Sequence, residues 1–183
     1  MKIKSIILTA LIAIAATSGL FAQNTKNSKT LVMYFSWGGT TEKMTKMISS
    51  SNGGELFRIE PTKDYPTSYT PCTEVVKEEL DNGIFRQVKK ASDFSKYDTI
   101  FVGVPVWWHT APTLMTHFLE ENKEALKGKT IIPFCTYQAT YRAETLQAIV
   151  DATPTASHKE GYGTTNPNQN DVDAWLKKIG VAK

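Results

Sequence analysis

Ser36-Trp37-Gly38-Gly39-Thr40-Thr41 follows an apolar run over residues 30–35 and precedes a helix-patterned stretch that begins near Glu42. Strand, glycine- and hydroxyl-rich turn, then helix is an order suited to holding an anion. Glycine lets the backbone come close, Ser and Thr hydroxyls donate hydrogen bonds, and a helix begins with NH groups that have no intrahelical acceptor and carry a partial positive charge. The stretch reads as the phosphate loop of a cofactor site.

Outward from that loop, apolar runs and helix-period segments alternate. Residues 31–35 read as a buried strand, and Met44, Met47 and Ile48 then fall on one helix face. Residues 55–59 are a second short strand. Residues 60–71, with Pro61, Pro66 and Pro71, read as an irregular connection, and residues 73–82 as a helix stopped by Gly83. Residues 99–104 form a third strand and 111–122 its helix, with Pro112 in the first turn, where a missing NH costs nothing. A fourth strand, 130–135, leads to a helix over 143–151 with Leu146, Ile149 and Val150 inward. A weak fifth strand falls within 155–159, and Val172, Trp175, Leu176 and Ile179 mark a last helix ended by Gly180.

Five strands alternating with helices predict a three-layer α/β/α sandwich, a parallel sheet with right-handed crossovers. Ligands of such sheets bind beyond the carboxyl ends of the strands, where strand order reverses. The loops after the first, third and fourth strands are therefore the ones to inspect. They are Ser36 to Thr41, then Pro105-Val106-Trp107-Trp108-His109-Thr110, then Thr136-Tyr137-Gln138-Ala139-Thr140-Tyr141. Flat, polarizable side chains beside a phosphate loop suit a planar ring with a phosphate tail, so flavin mononucleotide (FMN) fits better than bare phosphate. The alternative is that Trp107 and Trp108 pack on the sheet and only one of them reaches a ligand.

Composition narrows the remaining classes. Lys2 and Lys4 precede an apolar core over 6–16 and Phe21-Ala22-Gln23, the layout of a secretory signal peptide over residues 1–22 with Ala22 the last residue removed. The core is shorter than the roughly 20 residues of a membrane span, so no permanent span is expected after removal. Residues 23–28 read as a flexible tail, 29–183 as one domain, and the product as exported and periplasmic. The net charge of +3 includes both leader lysines and offers nothing for nucleic acid. Cys72, after a proline in a loop-like segment, and Cys135, at a strand end, read as unpaired, with no activating base beside either. Three dispersed histidines make no metal site. His109 reads either as a donor or proton relay at a flavin or as a polar loop residue; His117 and His158 read as structural or exposed. Ser36 does not meet the Gly-x-Ser-x-Gly elbow of serine hydrolases; the first loop does not end in the Gly-Lys-Ser/Thr of a nucleoside triphosphate site, Lys43 being misplaced for it, and it lacks the Gly-x-Gly-x-x-Gly of dinucleotide binding.

Three motifs resemble the flavodoxin-like family of short bacterial proteins: Tyr34 through Thr41; Val102-Gly103-Val104-Pro105-Val106-Trp107-Trp108 with Ala111-Pro112; and Pro133-Phe134-Cys135-Thr136. The likeness runs from Lys29 to Lys183. It implies strand order 2-1-3-4-5 and noncovalent FMN, the phosphate held by Ser36, Trp37, Gly39, Thr40 and Thr41. Pro105, Val106, Trp107, Trp108 and His109 would line the ring and ribityl chain, and Cys135, Thr136, Tyr137 and Gln138 would close over the other side. It also implies electron transfer, or flavin-dependent reduction of a small acceptor such as a quinone, with an unidentified redox partner. Two departures stand out. Gly38 replaces a Ser or Thr of the family; a hydrogen bond to a charged group contributes roughly 1.5–3 kcal/mol, or about ten- to a hundredfold in affinity. The third loop lacks glycine altogether, so it must take another path around the ring. A rival reading follows: an exported flavodoxin-fold binding module that has lost FMN and binds another ligand or a protein.

Overall fold

Strand β1 (Thr30–Tyr34) sends Leu31 and Met33 to one face and Val32 and Tyr34 to the other, and all four are buried. A strand buried on both faces belongs to a sheet covered by helices on both sides. The computed structural model describes residues 29–90 and 92–182. In it β1 is followed by α1 (Thr40–Asn52), β2 (Glu55–Arg58), α2 (Tyr69–Asn82), a single 3-10 turn (Phe94–Lys96), β3 (Thr99–Pro105) and α3 (Thr113–Glu121). Then come α4 (Lys123–Leu126), β4 (Thr130–Thr136), α5 (Arg142–Asp151), β5 (Ser157–His158), β6 (Tyr162–Thr164) and α6 (Gln169–Lys178). The strands pair in parallel in the order β2-β1-β3-β4-β5, and β6 also pairs with β4. The expected three-layer sandwich of order 2-1-3-4-5 is the fold found, with a sixth strand added.

Helices α1 and α6 cover one face, packing Met44, Ile48, Val172, Trp175 and Leu176 on Val32, Phe101, Ile132 and Phe134. Helices α2, α3 and α5 cover the other, where Val76, Leu114, Phe118 and Ile149 meet Leu31, Met33, Ile100, Val102 and Ile131. Gly103 is where the phenyl ring of Phe134 crosses the next strand. A Cβ at Gly103 would lie 2.0 Å from Phe134 Cζ, so no larger residue fits.

Three boundaries differ from expectation for local reasons. Helix α2 begins at Tyr69 rather than at residue 73, because Pro71 sits in its first turn, where no NH is required. Cys72 is consequently a buried helical residue and not part of a loop. Pro112 is the residue before α3 and not within it, with an extended ψ of 135°. The fifth strand is split. Pro133 in mid-β4 has no NH to offer the ladder, and Gly161 passes so close that a Cβ there would lie 2.7 Å from the Pro133 carbonyl oxygen. Pairing resumes at Phe134↔Tyr162, which is β6. The leader and tail expected over residues 1–28 lie outside the described residues; among those described, no helix is long and apolar enough to cross a membrane.

Candidate functional site

Strands β1, β3 and β4 end side by side, and hydrogen bonds carry the ladder one step beyond them. Phe35 NH donates to Gly103 O at 2.9 Å, Val106 NH to Thr136 O at 2.9 Å, and Tyr137 NH to Thr164 O at 3.2 Å. The three loops that follow thus stand on a fixed base. With the start of α2 they enclose a cleft of about 660 Å³, within the roughly 300–1,000 Å³ of small-molecule sites.

In the first loop Ser36 is buried, and its Oγ accepts the NH groups of Gly39 and Glu42, each at 3.2 Å. Gly39, the residue before α1, has no side chain for capping and a left-handed φ of 88°, so Ser36 does the capping from within the loop. The Ser36 hydroxyl hydrogen remains free to donate. Among the described residues no acceptor pairs with the NH groups of Gly38, Thr40 or Thr41. A Cβ at Gly38 or Gly39 would meet nothing within 4 Å, so the loop faces open space. Arg58, whose guanidinium reaches this loop, is committed: it donates to Glu42 at 2.8 Å and to the Ser36 carbonyl at 3.0 Å. An anion here would be met by neutral donors and the helix dipole.

Two side chains of this loop are engaged elsewhere. The Thr41 hydroxyl lies 2.8 Å from that of Thr136, with both residues buried, so it staples the first loop to the third. What Thr41 can offer a ligand is its NH. The Trp37 indole NH donates to the Pro66 carbonyl at 2.9 Å and pins the loop to the connection before α2.

The second loop reverses within two residues. Trp107 and Thr110 exchange NH-to-carbonyl bonds at 3.0 Å, and Trp108 and His109 between them have φ of 44° and 70°. This is the type I′ geometry, which favours Asn-Gly because both central residues are left-handed. Trp107 packs edge-on against Phe35 and Tyr65, with ring centroids 5.2 and 4.9 Å away. Trp108 is 42% exposed and crosses the cleft to donate its indole NH to the Thr73 carbonyl at 2.8 Å. Both rings line the cleft, one as floor and one as rim.

Beneath Trp107 the floor is braced. The Tyr65 hydroxyl donates to the buried Glu79 at 2.9 Å, Arg86 donates to the other Glu79 oxygen, and the Arg86 guanidinium lies 4.0 Å over the Tyr65 ring. Burial, with the Glu79 carboxylate adding to it, pushes the Tyr65 hydroxyl pKa well above the ordinary tyrosine value, so it stays a donor. The glycine-free third loop takes a left-handed turn at Tyr141, φ 66°, and the Tyr141 ring stacks on His109 at 3.7 Å. All three non-glycine residues with positive φ among those described border this one cleft.

Of the residues anticipated from sequence, Ser36, Trp37, Gly38, Thr40, Thr41, Pro105, Val106, Trp107, Trp108, His109, Thr136, Tyr137 and Gln138 line the cleft. Gly39 does not; it makes the turn. Cys135 does not either, being fully buried in β4, where burial pushes its thiol up to about 12. Tyr69, Cys72, Thr73 and Val76 of α2 form a further wall that the sequence reading does not anticipate, since it begins this helix only at residue 73. Its signal is present in the spacing i, i+3, i+4, i+7. Ala139, Thr140 and Tyr141 complete the third loop's share. No Asp, Glu, Lys or Arg is among the lining residues.

The family model for flavodoxin matches residues 29–179. The chain belongs to the flavodoxin family. A candidate flavoprotein from Bacteroides eggerthii is similar at 30% identity over 85% of this chain and 99% of its own, with a TM-score of 0.73. One from Bacteroides uniformis has 27% identity over 82% and 98%, with a TM-score of 0.70. A Lactobacillus acidophilus flavoprotein solved in complex with FMN shares the flavodoxin fold at 20% identity over 84% and 99%, with a TM-score of 0.70. A search of the curated proteins returns no match.

Proposed function

We propose that this flavodoxin-family chain binds FMN in the cleft and passes electrons to a small acceptor, and that it does so as an exported, periplasmic protein. The observation that carries the reading is the set of unpaired donors at the start of α1, facing open space beside an aromatic cleft lined by no Asp, Glu, Lys or Arg. The residues fit the group. The free Ser36 hydroxyl hydrogen, the NH groups of Gly38, Thr40 and Thr41, and the exposed Thr40 side chain would hold the phosphate. Pro105, Val106, Trp107, Tyr137 and Gln138 would hold the ring and exclude water, with Trp108 and His109 at the rim. Gly39 would act through the turn it makes. FMN, when bound, supplies the redox chemistry. The FMN complex of the Lactobacillus acidophilus flavoprotein, whose fold is similar, supports the assignment.

The test is direct. Purified chain incubated with FMN and desalted should be yellow; under argon a chemical reductant should bleach it, and an added acceptor should restore the colour. Desalted protein with no visible flavin band would refute the reading. It would favour the binding module without FMN.

A further inference from the structure

We propose that Arg58, at the end of β2, is a positioning residue for the phosphate of FMN: it polarises the peptide between Ser36 and Trp37 and offsets the charge of Glu42, without lining the cleft itself. The β1–β2 ladder pairs Arg58 with Tyr34, two residues before Ser36. From there the guanidinium divides its donors, Nη1 to Glu42 Oε2 at 2.8 Å and Nη2 to the Ser36 carbonyl at 3.0 Å. The Arg58 side chain is 42% exposed, and an ion pair so open to water adds little to stability. What the arrangement sets is the field at the loop. No peptide bond described is cis, so the carbonyl and the NH of the Ser36-Trp37 peptide point opposite ways. A cation on the Ser36 oxygen therefore strengthens the positive end at the Trp37 NH, which no backbone acceptor pairs with among the described residues.

Glu42 makes the second half of the argument. It stands in the first turn of α1, and its own NH is bonded to Ser36 Oγ at 3.2 Å. The Lys46 ammonium at 2.6 Å, with Arg58 adding to it, holds the Glu42 carboxyl below the usual carboxylate range, so it is ionised at neutral pH. A carboxylate in that turn suits an empty helix start, but it repels a second anion bound at the same place. Arg58 and Lys46 each take one of its oxygens, and two cations against one carboxylate leave the cluster with one positive charge. The inference rests on the FMN reading and deepens it: the donors that face the phosphate are neutral, and the charge that favours it stands one peptide behind them.

The experiment titrates the full chain and its Arg58→Gln and Glu42→Gln variants with FMN and with riboflavin, each read from flavin emission. The ratio of the two affinities isolates what is owed to the phosphate. Arg58→Gln should cut that ratio by about three- to tenfold, with riboflavin affinity unchanged. Glu42→Gln, which removes the repelling charge and leaves Arg58 on the Ser36 carbonyl, should raise it by about two- to fivefold. A merely mechanical tie between β2 and the loop would give no rise in Glu42→Gln. That result, or an Arg58→Gln ratio equal to the parent's, would overturn the role of Arg58 while the FMN reading stands. Failure of the parent chain to bind FMN, seen in the first titration, overturns both.

Discussion

The Thr41 hydroxyl, shut away from water 2.8 Å from that of Thr136, ties the loop after β1 to the loop after β4. A buried neutral hydrogen bond contributes about 0.5–1.5 kcal/mol, and leaving one partner unpaired costs about 1–3 kcal/mol. Thr41→Val should therefore lower the unfolding free energy by about 1–3 kcal/mol in urea titration, and a double-mutant cycle with Thr136→Val should return coupling of about 0.5–1.5 kcal/mol. Zero coupling would mean the two hydroxyls do not hold the loops together. Gly103 makes an equally local demand. Gly103→Ala drives a methyl into Phe134 and should cost about 1–3 kcal/mol, measured the same way. The thiols give a third check. Burial raises the pKa of both Cys72 and Cys135, the latter to about 12, and neither is paired. Native protein at pH 8 should leave both unmodified by a disulfide reagent, and denaturant should release both; rapid native labelling would place one of them outside the core.

At the scale of elements, the turn from Trp107 to Thr110 is the strained part. Trp108 and His109 occupy positions that suit Asn and Gly, and a left-handed non-glycine residue costs roughly 1–2 kcal/mol. The pair is held by Trp108 bonded to α2 and His109 stacked on Tyr141. Replacing Trp108-His109 with Asn-Gly should raise the melting temperature in calorimetry while weakening FMN binding, because relief of strain removes the rim. A variant that is both less stable and unaltered in FMN affinity would show that the turn is packing alone. This strain could not be read in the sequence, where nothing marks Trp-His as a I′ turn. Helix α2 is half legible: its spacing runs back to Tyr69, but Pro71 reads equally as a loop residue and as a first-turn proline, and the structure has it in the first turn. Strand β6 was illegible because it is three residues long and two glycines, Gly161 and Gly163, flank or interrupt it.

For the whole molecule, the fold was legible because the sheet is buried on both faces. Continuous apolar runs at β1, β3 and β4 separated by helix-period segments leave few alternatives to a parallel sandwich. The location of the site followed from topology, since β1 and β3 lie on either side of the reversal in strand order. Individual duties did not follow. Whether Thr41 faced a ligand or Thr136, and whether Cys135 reached the cleft, depended on packing between loops far apart in the chain.

The central claim is a neutral phosphate cradle at the start of α1 next to an aromatic cleft. Its most direct test is a fluorescence titration of FMN and of riboflavin, which lacks only the phosphate, with the purified chain. FMN emission should change to saturation at micromolar protein, one flavin per chain, and riboflavin should bind at least about tenfold more weakly, as expected for lost hydrogen bonds to a charged group. Equal affinities for the two flavins, or emission of FMN unchanged at the highest protein concentration, would contradict it.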